Sequence, residues 1–145
     1  MDILLMGPPG AGKGTQGALL SESMGLPTFA TGNLLRDAVS RGTPLGLQAR
    51  AVMEAGKLVS DDIILGVIRD ELDRPAAAGG VIFDGVVRTI PQAEGMERLL
   101  ADRGLEERVK IVVGGAPYRY DPTLYLHVGA DAWAENGIAA GSVIA

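Results

Sequence analysis

The segment Gly7-Pro8-Pro9-Gly10-Ala11-Gly12-Lys13-Gly14-Thr15 constrains this chain more than any other. It follows a short apolar run, Ile3 to Met6, that reads as a buried strand, and it precedes an expected helix from Thr15 to Met24. A strand, a glycine-rich turn and a helix start together make a cradle for phosphate. Glycines let successive backbone N–H groups turn toward one point, and the helix N-terminus adds partial positive charge there. Lys13 supplies a full charge suited to the β- and γ-phosphates of a nucleoside triphosphate. The general pattern has Ser or Thr directly after the lysine; here Gly14 intervenes and Thr15 follows. The plainer alternative is a glycine-rich strand-to-helix turn with an exposed lysine. Spacing, strand, helix and lysine instead agree on the cradle, so Gly7, Gly10, Ala11, Gly12, Lys13, Gly14 and Thr15 form the expected phosphate-binding set.

The rest of the chain alternates short apolar runs with amphipathic ones. Strands are expected at Ile3–Met6, Pro27–Ala30, Gly80–Asp84, Val109–Val113 and Asp131–Trp133, all short and apolar as buried parallel strands are. From Asp62 to Arg74 a helix would place Ile63, Ile64, Val67, Ile68 and Leu72 on one face, with Ser60 as its cap. From Pro91 to Arg103 another would gather Ala93, Met96, Leu99 and Leu100. Asp121-Pro122 reads as a helix start, and Glu135 to Val143 as a last short helix. Parallel strands need right-handed crossovers, so the predicted fold is a doubly wound, five-stranded parallel α/β sheet in one domain, residues 1–145. Ligands in such sheets bind beyond the C-terminal strand ends. The cradle and the segment Asp84 to Arg88 both follow strands and should converge on one crevice. Val109, Ile111 and Val113 should be buried, and Val112 covered on the sheet's other face.

Composition narrows the function classes. The net charge of −5 and pI near 4.8 disfavour nonspecific nucleic-acid or membrane binding. Without cysteine there is no disulfide and no thiolate metal site. Asp2 and a four-residue apolar run before Gly7 do not make a signal peptide, and no segment approaches a membrane span. A cytoplasmic, soluble, recombinant protein with no evident protein partner is the expectation.

The variant with Gly14 before Thr15 resembles the adenylate kinase family, P-loop nucleoside monophosphate kinases, and further segments extend the resemblance over roughly residues 1–105. Thr31-Gly32-Asn33-Leu34-Leu35-Arg36 is similar to that family's first AMP-contact helix, with Asn33 where an acidic residue is usual. Gly56-Lys57-Leu58-Val59-Ser60-Asp61-Asp62 is similar to its next nucleotide-side loop. Phe83-Asp84-Gly85-Val86-Val87-Arg88-Thr89-Ile90-Pro91-Gln92-Ala93 is similar to its signature, except that Val86-Val87 replaces Phe-Pro. The resemblance implies that Lys13 and Arg88 act catalytically. It implies that Arg36 and Arg88 grip the AMP phosphate, as planar guanidinium donors suit. Thr31, Gly85 and the backbones of Lys57 and Val59 would be further AMP contacts. Gln92 would read adenine, although Thr89-x-x-Gln92 is equally a capping box. Asp84 would organise Mg²⁺ through water beside ATP. Residues 31–74 would form the helical excursion over the AMP site. Two valines should extend the preceding strand and reshape that side, turning Arg88.

From about Arg108 the chain is similar to the C-terminal end of cobalamin-binding, flavodoxin-like domains, on Val109-Lys110-Ile111-Val112-Val113-Gly114-Gly115-Ala116-Pro117 and Val128 to Ala134. That family's Asp-x-His-x-x-Gly segment is absent, so no cobalamin is expected; His127, Trp133 and Gly114-Gly115 read as packing and turn residues. The expected organisation is therefore an adenylate-kinase-like part, residues 1–107, joined to a flavodoxin-like part, residues 108–145. A junction inside a β-α unit reads as engineered. In the resembled family a lid bearing arginines follows the fourth strand, and here only Arg119 follows Val113. The expectation is a chimera that binds nucleotide, phosphate or sulfate with phosphotransfer lost or very weak. The alternatives are an active ATP:AMP phosphotransferase and a fold-chimera with no ligand.

Overall fold

The computed structural model describes residues 1–7, 10–105, 109–114, 123, 126 and 132–134. Its strands are β1 (Asp2–Met6), β2 (Thr28–Ala30), β3 (Ile82–Asp84), β4 (Val109–Gly114) and β5 (Ala132–Ala134). Its helices are α1 (Lys13–Met24), α2 (Thr31–Ser40), α3 (Pro44–Glu54), α4 (Asp61–Leu72) and α5 (Ile90–Ala101). The strands run in the order β2-β3-β1-β4-β5. Every pairing is parallel, with Leu4 opposite Phe83 on one side and Ile111 on the other. This is an α/β parallel-sheet fold compatible with a P-loop kinase.

The strand period of two explains how both faces are covered. Ile3 and Leu5 project to a cluster with Leu20 of α1 and Ile82. Leu4 projects the other way, into a larger cluster with Phe29, Phe83, Leu35, Val67, Ile68, Met96 and Leu100. Phe29 and Phe83 meet edge to face with centroids 6.0 Å apart, an arrangement their ring quadrupoles favour. Ile111 packs, partly buried, against the Leu4 cluster. The surroundings expected for Val109, Val112 and Val113, the Asp121-Pro122 start, the Glu135–Val143 helix, and the packing of His127 and Trp133 all fall outside the described residues or side chains.

Element ends moved for local reasons. β2 begins at Thr28 because Pro27 has no N–H to give; its carbonyl instead accepts from Ile82 N at 2.9 Å. β3 begins at Ile82, after Val81 N is taken by Asp2 Oδ1 at 2.9 Å. β5 starts at Ala132, one residue beyond the expected start. α1 starts at Lys13, two residues early, because Gly12 turns the chain with φ 82°. α4 and α5 each begin one residue early and stop two residues short of the expected ends. Ser60 occupies the cap position of α4, but its hydroxyl makes no cap bond. Ala93 is exposed in the first turn of α5, while Gly95 joins Met96, Leu99 and Leu100 on the buried face. A side chain at position 95 would collide with Leu65 Cδ1, so the glycine lets α5 lie close on α4.

Val86 and Val87 do not prolong β3. Gly85 has φ 61° and ends the strand at Asp84. Val86 is buried and Val87 packs partly buried on the main core. The turn set by Gly85 and the burial of the valines outweigh their preference for extended backbone.

Candidate active site: the crevice at the strand ends

Three neighbouring strands, β2, β3 and β1, release the chain at the same edge of the sheet. Gly7 leaves β1, Thr31 starts α2 directly after β2, and Asp84 ends β3. Between them lies a crevice of about 390 Å³. Gly10, Gly12, Lys13, Gly14 and Thr15 form one wall; Asp84, Gly85 and Arg88 form another; Ala30, Thr31 and Gly32 close the third. The convergence expected from the sequence is thus realised for nine predicted residues: Gly10, Gly12, Lys13, Gly14, Thr15, Thr31, Asp84, Gly85 and Arg88.

The glycine-rich turn works through its backbone. Gly12 precedes α1 with no side-chain cap bond, and the start of the helix lies along the crevice wall. Gly7, at the root of the turn, accepts from Lys13 Nζ through its carbonyl at 2.9 Å. Ala11 is exposed on the turn. The Lys13 side chain crosses beside Gly85, where an added β-carbon would sit 3.5 Å from Lys13 Cε and 3.7 Å from an Arg88 terminal nitrogen. Lys13 and Arg88 therefore bring two cations to one place. Arg88 Nε donates to Gly85 O at 3.0 Å, which curls the guanidinium back over the turn. With this bond in place Arg88 lines the crevice.

Asp84 faces the turn. An added β-carbon at position 14 would lie 3.7 Å from Asp84 Oδ2, so Gly14 leaves bare backbone against the carboxylate. Among the described residues no group of three or more Asp, Glu or His could hold a metal ion. One carboxylate and the nearby Thr15 hydroxyl are hard oxygen donors. They fit Mg²⁺ that arrives with phosphate oxygens and water, the usual way that ion is held, and not a cage made by protein alone.

Six predicted residues are not among those lining the crevice: Gly7 and Ala11 of the turn, described above, and Arg36, Lys57, Val59 and Gln92. Arg36 lines a separate cavity of about 330 Å³ with Val39, Arg50, Met53 and Glu54. Its guanidinium donates to Asn33 Oδ1 at 2.5 Å, one turn back on α2. Lys57 is exposed, and Val59 packs partly buried on the core. Gln92 is occupied at three points. Its N–H donates to Thr89 Oγ1 at 3.3 Å, its Oε1 accepts from Arg88 N at 2.9 Å, and its Nε2 donates to Asp61 Oδ1 at 2.7 Å. The capping role is the one its geometry displays. Sequence reasoning missed Ala30 and Gly32 as crevice residues, and Asp61 as the partner of Gln92. Gly32 stood within a quoted motif, whereas nothing local in the sequence pairs positions 61 and 92.

Residues 5–114 match the family model described as Adenylate kinase. The chain belongs to the adenylate kinase family. An adenylate kinase of Azorhizobium caulinodans is 53% identical over 106 residues, covering 73% of this chain and 55% of that protein. One of Xanthobacter autotrophicus is 53% identical over 106 residues, covering 73% and 54%. One of Novosphingobium aromaticivorans is 56% identical over 104 residues, covering 72% and 48%. The chain spans about half the length of the curated relatives it matches. The adenylate kinase model runs through β4 to Gly114, beyond the boundary near Arg108 expected from sequence. Among the described residues no helix is long and apolar enough to cross a membrane.

Proposed function

We propose that Gly7 to Thr15 binds the phosphates of a nucleotide, on a kinase scaffold of the adenylate kinase family. The observation that carries this reading is the placement of Lys13 and Arg88 in one crevice at the C-terminal ends of β1 and β3. Backbone N–H groups of Gly10 to Thr15 would take the donor phosphates, and Lys13 would leave Gly7 O to meet them. Arg88 would face the phosphoryl group and the acceptor phosphate. Thr31, Arg36, Lys57, Val59, Gly85 and Gln92 would form the AMP side, with Gln92 exchanging a present partner to read a base. Asp84, through water, and Thr15 would hold Mg²⁺ arriving with ATP. When bound, that ion supplies charge neutralisation on the phosphates.

We further propose that this 145-residue chain turns over ATP and AMP weakly or not at all. Phosphoryl transfer depends on positioning and on sharing spread charge, and loss of an arginine that covers the phosphates costs about 10³ to 10⁵ in rate in related systems. The family match ends at Gly114, and Arg119 is the one cation in the sequence after it. The span after Gly114, outside the family match, carries a second proposal. The chain is one α/β domain with a five-stranded sheet, whose final portion derives from a flavodoxin-like source by an engineered junction. The parallel register of β4 on β1 and of β5 on β4 is compatible with that origin.

Calorimetry with ATP and Mg²⁺, alongside a coupled assay for ADP formation from ATP plus AMP, tests the reading. Binding without turnover is the expected result. Robust, Mg²⁺-dependent ADP production that vanishes in Lys13→Ala would establish an active phosphotransferase, and the identity of over half the residues across the matched span favours keeping that arm. No heat with ATP would leave the crevice an inherited relic.

A further inference from the structure

Asp61 and Gln92 stand 31 positions apart, in the first turns of α4 and α5. Gln92 Nε2 donates to Asp61 Oδ1 at 2.7 Å, while Gln92 Oε1 accepts from the backbone N–H of Arg88 at 2.9 Å. The orientation of the amide is fixed by chemistry: a carboxylate can only accept, and a backbone N–H can only donate. A flipped amide would lose both bonds. Without ligand, the side chain of Gln92 therefore links Asp61 at one end to the Arg88 peptide at the other. The two helices that carry it are held at close range by the Leu65–Gly95 contact. Arg88 in turn lies in the crevice with Lys13. Its own side-chain restraint is an intraturn bond to Gly85 O, while Val86 and Val87 seat the turn on the core.

We infer that Asp61 is a positioning residue for the crevice: through Gln92 it fixes the Arg88 peptide, and with it the point from which the guanidinium reaches an anion. Asp61 does not line the crevice, and its carboxylate would repel phosphate if it did. It acts by tying the helical excursion to the turn after β3. The inference rests on the proposed role of Arg88 as an acceptor-phosphate ligand, but its first test does not.

The test compares Asp61→Ala with Asp61→Asn in the full chain. Asn keeps an acceptor oxygen for Gln92 Nε2 and removes the charge; Ala removes both. Without ligand, hydrogen exchange at the Arg88 amide should quicken about fivefold in Asp61→Ala, the effect of losing about one hydrogen bond's support, and stay near the parent rate in Asp61→Asn. The amides of Gly12 to Thr15 should keep their parent chemical shifts in both. Calorimetry then uses two probes. AMP affinity should fall about fivefold in Asp61→Ala and recover in Asp61→Asn, while affinity for ATP with Mg²⁺ changes less than about twofold. Equal behaviour of the two variants would overturn the inference in favour of a helix-terminus charge effect. An unchanged Arg88 amide in Asp61→Ala would overturn it outright. Should the parent chain bind no AMP, the functional reading of Arg88 fails, and the exchange rates still decide the role of Asp61. If Asp61→Ala does not fold, Asp61→Leu, which also removes the acceptor of Gln92 Nε2 but leaves Gln92 in place, replaces it with the same expected quickening.

Discussion

Around the crevice the working surface is backbone, whereas in the helical excursion α2–α4 it is side chains that impose order. Gly10, Gly12, Gly14, Gly32 and Gly85 contribute no side chain to the crevice wall. Its cations rest on nearby carbonyls, Lys13 on Gly7 O and Arg88 on Gly85 O. Such bonds are net modest in stability and can be exchanged for a charged ligand. The excursion instead closes on Glu71, which is buried, and which pairs with Arg41 and, at 2.8 Å, with Arg74. Arg41 also bonds Asp37 at 3.0 Å within the end of α2, and its pairing with Glu71 ties α2 to α4. The bond to Glu71, then its charge, pushes the Arg74 guanidinium above its usual value. The comparison teaches that one part of the molecule holds its groups ready for exchange while the part beside it is stapled.

The largest effect should come from attacking the staple where backbone meets backbone. A β-carbon at Gly46 would overlap the Ala38 carbonyl at the end of α2. Gly46→Ala should therefore cost about 3 kcal/mol or more, since main chain cannot repack as a side chain can. Denaturant unfolding measures it; a loss under 1 kcal/mol would mean that α2 and α3 can slide apart, and the contrast drawn above would weaken. Next, Lys13→Ala should lower ATP affinity by about thirtyfold, near 2 kcal/mol, through loss of a charged phosphate contact. Its unfolding midpoint should hardly move, because the bond to Gly7 O is exposed. A large drop in stability with unchanged affinity would reverse the assignment of roles.

Glu71→Ala should destabilise by about 1.5 kcal/mol. That is less than the 3–5 kcal/mol of fully buried pairs, because both arginines reach solvent. ATP affinity should be unaffected, and a fall of more than about threefold would show that the staple supports the crevice directly. The smallest expected change is at Thr43, whose Oγ1 accepts from Gly46 N at 3.0 Å and caps α3. Thr43→Ala should cost about 1 kcal/mol, read as a shift in thermal midpoint. If Thr43→Ser is equally destabilised, the methyl group matters and capping does not.

Much of the crevice could be read from the chain because its chemistry is local. The spacing of Gly10, Gly12 and Lys13 after an apolar run, and of Asp84, Gly85 and Arg88 after another, carries its own geometry. The helix faces were legible for the same reason, as with Val67 and Ile68, which are both buried. Val86-Val87 misled because intrinsic propensity favoured strand, while a left-handed Gly85 and the core ahead of it favoured a turn and burial. Gln92 was legible as a cap, since Thr89 lies three residues before it. Its link to Asp61 was not legible, nor was the ion cluster at Glu71, which joins positions 37, 41, 71 and 74.

The sequence by itself determined the glycine-rich turn before α1, the parallel α/β order and the family, because each follows from residues close in the chain or from a recognisable set of such segments. Only the tertiary structure decided which long-range groups meet. It set Lys13 beside Arg88 and parted Arg36 into a second cavity. It committed both ends of the Gln92 amide. The physical reason is that hydrogen bonds and ion pairs act over a few ångströms, and only the folding of β1, β3 and the α2–α4 excursion brings residues dozens of positions apart within that range.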